Sequence, residues 1–310
     1  MSTLESSSPC RACGTPLPES SLASARFCPF CGAVRDAVEP SPVVQLYPPP
    51  ADQYPLAPVA QAPPLDPDHP RWGIWTGIGT WLFSVAALIV AGVALLIPLM
   101  LIERPQPGDT AWATSPHVMI ATVYSTLLAH AITVLFCWAV VTHLRKQPFF
   151  ASLGWNWAGH SPLYWLGVAV LIFVGILLAN KFIFYRFLPE KKTPFDDLLQ
   201  SGLHVRIALA LLASFSAPLV EEIVYRGVLF GGIRKRFSAV TTIIIVTLLF
   251  VGVHVPQYWG AWASIAGLLL LSVVLTIVRA TSKTLLPCIV IHFINNAVAS
   301  LVIVFGKDNV

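Results

Sequence analysis

The run SAPLVEEIVYRGVLF, residues 216–230, sets two adjacent carboxylates, Glu221 and Glu222, and a guanidinium, Arg226, in an otherwise apolar stretch. Each ionised group at mid-membrane costs ~2.5–3.5 kcal/mol on insertion scales, and three together ~10 kcal/mol, unless they are paired or hydrated. They are therefore expected to face protein or water and not lipid. On a helix Glu222 and Arg226 stand four residues apart and share a face, where each neutralises the other. Glu221 projects about 100° away and is left for proton chemistry. Two further apolar runs carry polar groups: FVGVH ends in His254, and IHFINN holds His292 and Asn296, again four apart on one helical face. A carboxylate base, an imidazole partner for a water, and two hydrogen-bonding groups for a developing oxyanion make a hydrolytic set. A single histidine in an apolar helix more often makes a helix–helix hydrogen bond, and His117, His130 and His143 are read that way. A Glu-Glu-Arg cluster alone fits a proton or ion pathway equally well. It is the combination that points to hydrolysis.

The elements that must position these groups follow from composition. The chain has 310 residues, 56% of them apolar and 11% charged, with a net charge of +4. Soluble domains carry roughly 25% charged residues, so an ordinary soluble enzyme is excluded, and the small net charge gives no argument for nucleic acid. Apolar runs at about 73–102, 116–142, 162–188, 203–230, 239–254, 258–280 and 284–305 predict seven spans. The expected fold class is an all-α polytopic membrane protein of about seven to eight transmembrane helices with a small N-terminal zinc-ribbon module. If the chain starts inside, the inner flanks hold Arg71, Arg145, Lys146, Arg234, Lys235, Arg236, Arg279 and Lys283, and the outer loops hold Arg104, Lys191, Lys192 and Lys307. That balance favours a cytosolic N-terminus, although Lys181, Arg186 and Arg206 at the outer ends of spans narrow it. Residues 1–37 contain no apolar h-region of a secretory signal, which agrees.

Two CxxC pairs, Cys10/Cys13 in CRACG and Cys28/Cys31 in CPFCG, supply four thiolates for a tetrahedral zinc. The glycine after each second cysteine suits a tight knuckle turn. A redox dithiol would need one pair and a βαβ context that is missing here. A segment this small buries too little apolar surface to fold alone, so metal binding is expected to supply its folding energy. Cys137 and Cys288, alone in apolar runs, read as packing. Residues 38–70 are too proline-rich for helix or sheet and read as an extended tether. The expected organisation is a zinc ribbon at 1–37, a Pro-rich linker at 38–70 and a transmembrane domain at 71–306.

The segments EEIVYRG, FVGVH and TLLPCIVIHFINN, in that order, resemble the signatures of the CAAX-protease and bacteriocin-processing (CPBP) intramembrane proteases, relatives of the prenyl-protein endopeptidase of the endoplasmic reticulum. The resemblance covers about 203–300. It implies that Glu221 is the catalytic glutamate, that His254 helps it activate water, that His292 and Asn296 stabilise the oxyanion, and that Glu222 and Arg226 give structural support. Tyr225 stands where members commonly have Phe, and seven spans are counted where they often have eight. Counting inward at ~1.5 Å per residue puts Glu221 and His292 about 12–14 Å deep but His254 roughly 20–24 Å deep. A tilt, or a break near Pro256, is what would bring His254 level with the others.

The function expected is an intramembrane endopeptidase of the CAAX-protease type, cutting a membrane-embedded or membrane-tethered peptide with a water activated by Glu221 and His254. Its active-site metal is left open with a leaning to metal-free chemistry, since a carboxylate and two imidazoles also match a zinc ligand set. The alternative is a non-proteolytic scaffold or immunity-type factor whose structural zinc ribbon recruits a protein partner. A transporter is less favoured, because the polar residues are concentrated in the C-terminal spans and no inverted repeat is evident.

Overall fold

The structure, a computed structural model, describes residues 9–15, 27–28, 30–34, 65–192 and 201–305, with the side chains of 110, 113, 302 and 303 excepted. Most of the expected ribbon, the linker from 38 to 64, and Lys307 lie outside the described residues. The chain divides into two compact units, Met1–Ala62 and Pro63–Val310.

Among the described residues the second unit has seven long helices: α1 Ile74–Glu103, α2 Pro116–Leu144, α3 Pro162–Phe187, α4 Leu203–Arg234, α5 Ala239–His254, α6 Trp262–Ser282 and α7 Leu286–Phe305. They fall on the seven apolar runs read from the sequence. By length and composition α1, α2, α3, α4 and α6 suffice to cross a membrane, whereas α5 is a shorter apolar helix. At 1.5 Å per residue the 16 residues of α5 reach only about 24 Å, less than the ~30 Å of a bilayer core. The chain is thus an all-α polytopic membrane protein.

Local chemistry sets the helix starts. Ser115, Ser161 and Ser238 each accept a hydrogen bond from the amide three residues on, and Pro116 and Pro162 follow at the first helical position, where no amide is needed. Ile89, Leu101, Leu171 and Phe182 point outward as lipid-facing groups. Inside, Trp72, Tyr225, Phe230 and Phe250 form the largest apolar cluster, and Trp165, Leu275 and Ile291 a second. Cys137 and Cys288 are fully buried in these clusters, as the packing reading expects.

Among the described residues three helices, α2, α3 and α4, widen locally into four π turns, and two of these turns, Leu212–Ser216 and Ile223–Leu229, flank the glutamate pair on α4. Pro218 lacks an amide for the α ladder, so register changes at this point. Residues 65–70, read from sequence as the end of the tether, are instead packed on the helix ends. Asp68 is buried beside Arg279, and Trp72, just beyond, is fully buried.

Candidate active site

Glu222 is fully buried, and its Oε1 accepts two hydrogen bonds: from Arg226 Nη1 at 2.9 Å and from His292 Nδ1 at 2.8 Å. The first bond is the i, i+4 pair expected on α4. The second ties α4 to α7. Arg226 is itself held from α6, where Ser272 offers its carbonyl at 3.2 Å and its hydroxyl at 2.8 Å, and Thr276 its hydroxyl at 3.3 Å. Its guanidinium lies over the Phe250 ring of α5, 4.6 Å from the centroid. A buried ion pair is stabilised when its remaining polar atoms find partners. Here α6 and α7 supply hydrogen bonds and α5 an aromatic face, while Glu222 Oε2 is buried without a hydrogen-bond partner among the described residues.

Glu221 lies on the same helix in a different setting. Its side chain is 22% exposed, and its nearest charged partner is His292, Nε2 to Oε2 at 3.8 Å. Two adjacent carboxylates thus have separate environments, one paired and dry, the other open and unpaired by any cation at contact distance, which is how one site assigns two roles. Because a carboxylate only accepts, His292 donates through Nδ1 to Glu222 and turns Nε2 toward Glu221. The role read from sequence for Glu222, structural support, is therefore extended: it also fixes the orientation of His292.

His254 closes α5, and its Nδ1 donates to the Phe250 carbonyl at 2.8 Å, leaving Nε2 open. Its ring leans on Phe250 at 4.8 Å between centroids, and His292 meets the same ring edge-on at 6.1 Å. α5 stops at His254, and the chain turns through Val255–Gly260. His254 and Glu221 are not hydrogen bonded to one another. Asn296 donates Nδ2 to the Ala213 carbonyl at 2.9 Å, inside the first π turn, and its Oδ1 accepts from Asn295 at 3.2 Å. One of its two amide hydrogens remains for another acceptor.

The sequence reading of His130 as a helix–helix hydrogen bond agrees with its bond from α2 to Ser216 of α4. That histidine is buried, bonds Ser216 Oγ through Nδ1 at 2.8 Å, and lies within electrostatic reach of Glu221. A lone histidine in an apolar helix carries no sequence signal of that reach. Ser272 and Thr276 were missed, although two hydroxyls four apart, facing a buried arginine, were a readable clue. The Tyr225 hydroxyl accepts from Trp81 Nε1 of α1 at 3.1 Å, so the departure from Phe has a partner of its own.

In the first unit the two knuckles are alike. Gly14 and Gly32 have φ of 71° and 69°, and their amides reach back to the Cys10 and Cys28 carbonyls at 2.8 and 2.9 Å. Only glycine adopts that backbone freely, which explains its place after each CxxC. Phe27 and Val34 form an antiparallel bridge beside the second knuckle. The Sγ atoms of Cys10, Cys13, Cys28 and Cys31 lie within 4.8 Å of one another, with Cys10–Cys31 at 3.9 Å and Cys13–Cys28 at 4.0 Å. A tetrahedral ion with metal–sulfur bonds of ~2.3 Å sets its sulfurs about 3.8 Å apart, so the cluster is sized for one. Hydrogen bonds from the Thr15 hydroxyl and amide lower the Cys13 thiol to about 6, while at Cys31 a lowering backbone hydrogen bond is outweighed by the neighbouring thiols, which push it up to about 11.

Neither a curated protein nor a solved structure matches the chain. Residues 203–298, the segment that carries Glu221, Glu222, Arg226, His254, His292 and Asn296, match the family described as Type II CAAX prenyl endopeptidase Rce1-like.

Proposed function

We propose that the protein is an intramembrane endopeptidase that hydrolyses a peptide bond of a membrane-embedded or membrane-tethered substrate. The observation that carries this reading is the divided glutamate pair: Glu222 is spent on Arg226 and His292, while Glu221 stays partly exposed and faces His292 Nε2 at 3.8 Å. A separation of that size leaves both atoms available to a water or a reacting carbonyl.

Glu221 takes the proton of the attacking water, and His254 orients that water through its open Nε2. The hydroxide adds to the scissile carbonyl. His292 Nε2 and the second amide hydrogen of Asn296 then donate to the oxyanion. For His292 this requires protons on both nitrogens, and Glu222 and the oxyanion together offset the charges of Arg226 and His292. The proton held by Glu221 passes to the leaving amine.

Zinc is the ion assigned to the four thiolates. With all four positions filled by sulfur it has no open site for catalysis and acts as a structural staple. The ribbon occupies residues 1–37 on the cytosolic side, carries a surface for a protein partner, and is joined to the helical unit by the proline-rich linker.

The test is cleavage of a peptide library by the purified, detergent-solubilised chain, with Glu221→Gln and chelator-treated protein alongside. Cleavage by wild type and none by Glu221→Gln is expected, with chelator reporting any need for an active-site metal. Equal cleavage by both proteins rejects Glu221 as the base.

A further inference from the structure

The π turn Ile223–Leu229 begins directly after the glutamate pair. Where a helix widens, the backbone ladder shifts register and some carbonyls seek other donors. Two carbonyls of this turn find them outside the helix. Arg226 O accepts from Arg279 Nε of α6 at 2.9 Å, and Val228 O accepts from the indole Nε1 of Trp72 at 2.9 Å.

Both donors belong to one buried assembly. Arg279 is fully buried and is neutralised by Asp68, Nη1 to Oδ1 at 2.9 Å, while its Nη2 donates to the Pro67 carbonyl at 3.1 Å. Lys235 Nζ donates to the Pro70 carbonyl at 3.2 Å. The strap from Pro67 to Gly73 lies so close to α4 that a Cβ at Gly231 would stand 3.0 Å from Pro67 O, and one at Gly232 2.8 Å from Gly73 O. Such closeness leaves α4 little freedom to rotate or slide beneath the strap.

We propose that Asp68, Trp72 and Arg279 are positioning residues: by holding the Arg226 and Val228 carbonyls they fix the widened turn, and with it the register in which α4 presents Glu222 to His292 and Glu221 to substrate. This rests on the hydrolase reading for its consequence, but the geometry it predicts is measurable without activity.

The experiment compares the detergent-solubilised full chain with Trp72→Phe, which keeps an aromatic ring and loses the donor, and with Asp68→Asn. Trp165→Phe is the matched control, since Trp165 Nε1 makes an equivalent bond to the Trp157 carbonyl at 2.8 Å in the other apolar cluster. Hydrogen exchange over residues 217–234 and the imidazole resonance of His292 are recorded for each. Faster exchange and a displaced His292 resonance are expected in Trp72→Phe and Asp68→Asn but not in Trp165→Phe, with Asp68→Glu partly restoring the wild-type signals. On a cleaved peptide, kcat falls about 10- to 100-fold with KM unchanged, the size expected of a misplacement on the order of 1 Å. Unchanged exchange and resonance in Trp72→Phe overturn the proposal, as does wild-type kcat in a variant whose resonance has moved. If wild type cleaves nothing, the hydrolase reading fails, and exchange and resonance alone decide the register claim. Should Asp68→Asn fail to fold, Trp72→Phe carries the decision.

Discussion

Glu222 and His292, 70 residues apart in the chain, share a hydrogen bond of 2.8 Å in which both partners are buried. The bond makes the glutamate that pairs with Arg226 also the group that aims the imidazole. It separates the two adjacent carboxylates of α4 into one that holds the site and one that faces it.

Substituting each glutamate tests that separation. Glu222→Gln leaves the Arg226 charge buried without its counter-ion, and a loss of ~3–5 kcal/mol is expected from breaking a buried pair. Glu221→Gln removes a partly exposed group whose nearest basic partner, His292 Nε2, stands 3.8 Å away, and its stability stays within about 1 kcal/mol of wild type. Thermal unfolding in detergent reads both. Similar losses in the two variants contradict the assignment.

Asn296 has one amide hydrogen on the Ala213 carbonyl and one free. If the free hydrogen stabilises an oxyanion, Asn296→Ala and Asn296→Asp both lower kcat by about 10²–10³ with little change in KM. Steady-state kinetics on a cleaved peptide decides it. Full turnover by Asn296→Asp, which has no donor, removes Asn296 from that role.

Asp66 gives a pH signature outside the membrane spans. Burial pushes its carboxyl up, but hydrogen bonds from the His69 ring and the Asp68 amide, with Lys283 beside it, outweigh burial and bring it from 3.8 to about 2. A lowered folded-state value contributes stability that is present above the unfolded value and is lost as pH falls through the folded one. The unfolding midpoint of wild type should therefore drop more steeply between pH 4 and about 2 than that of Asp66→Asn, the two converging at the acid end. Parallel curves across that interval show that the contacts contribute nothing.

The cysteine cluster predicts about one zinc per chain by elemental analysis. Cys28→Ser, which removes the buried thiolate of the four, should release it and abolish protection of the knuckle amides of Gly14 and Gly32. The unfolding transition of the helical unit should not move. Retention of a full equivalent of zinc by that variant is inconsistent with a four-thiolate site.

The sequence by itself determined whatever depends on neighbours along the chain. Seven apolar runs became seven helices because apolar length decides whether a segment is helical in a membrane. The i, i+4 spacing placed Glu222 on Arg226, and glycine's freedom at positive φ placed Gly14 and Gly32 in the knuckles. Tertiary structure alone decided who satisfies whom between elements. That His292 turns to Glu222, that the Phe250 ring lies against both His254 and His292, and that Asp68 reaches Arg279 across 211 positions are outcomes of helix packing. The physical reason is that a buried polar group must find a partner, and local periodicity fixes its face but not the helix that will meet it.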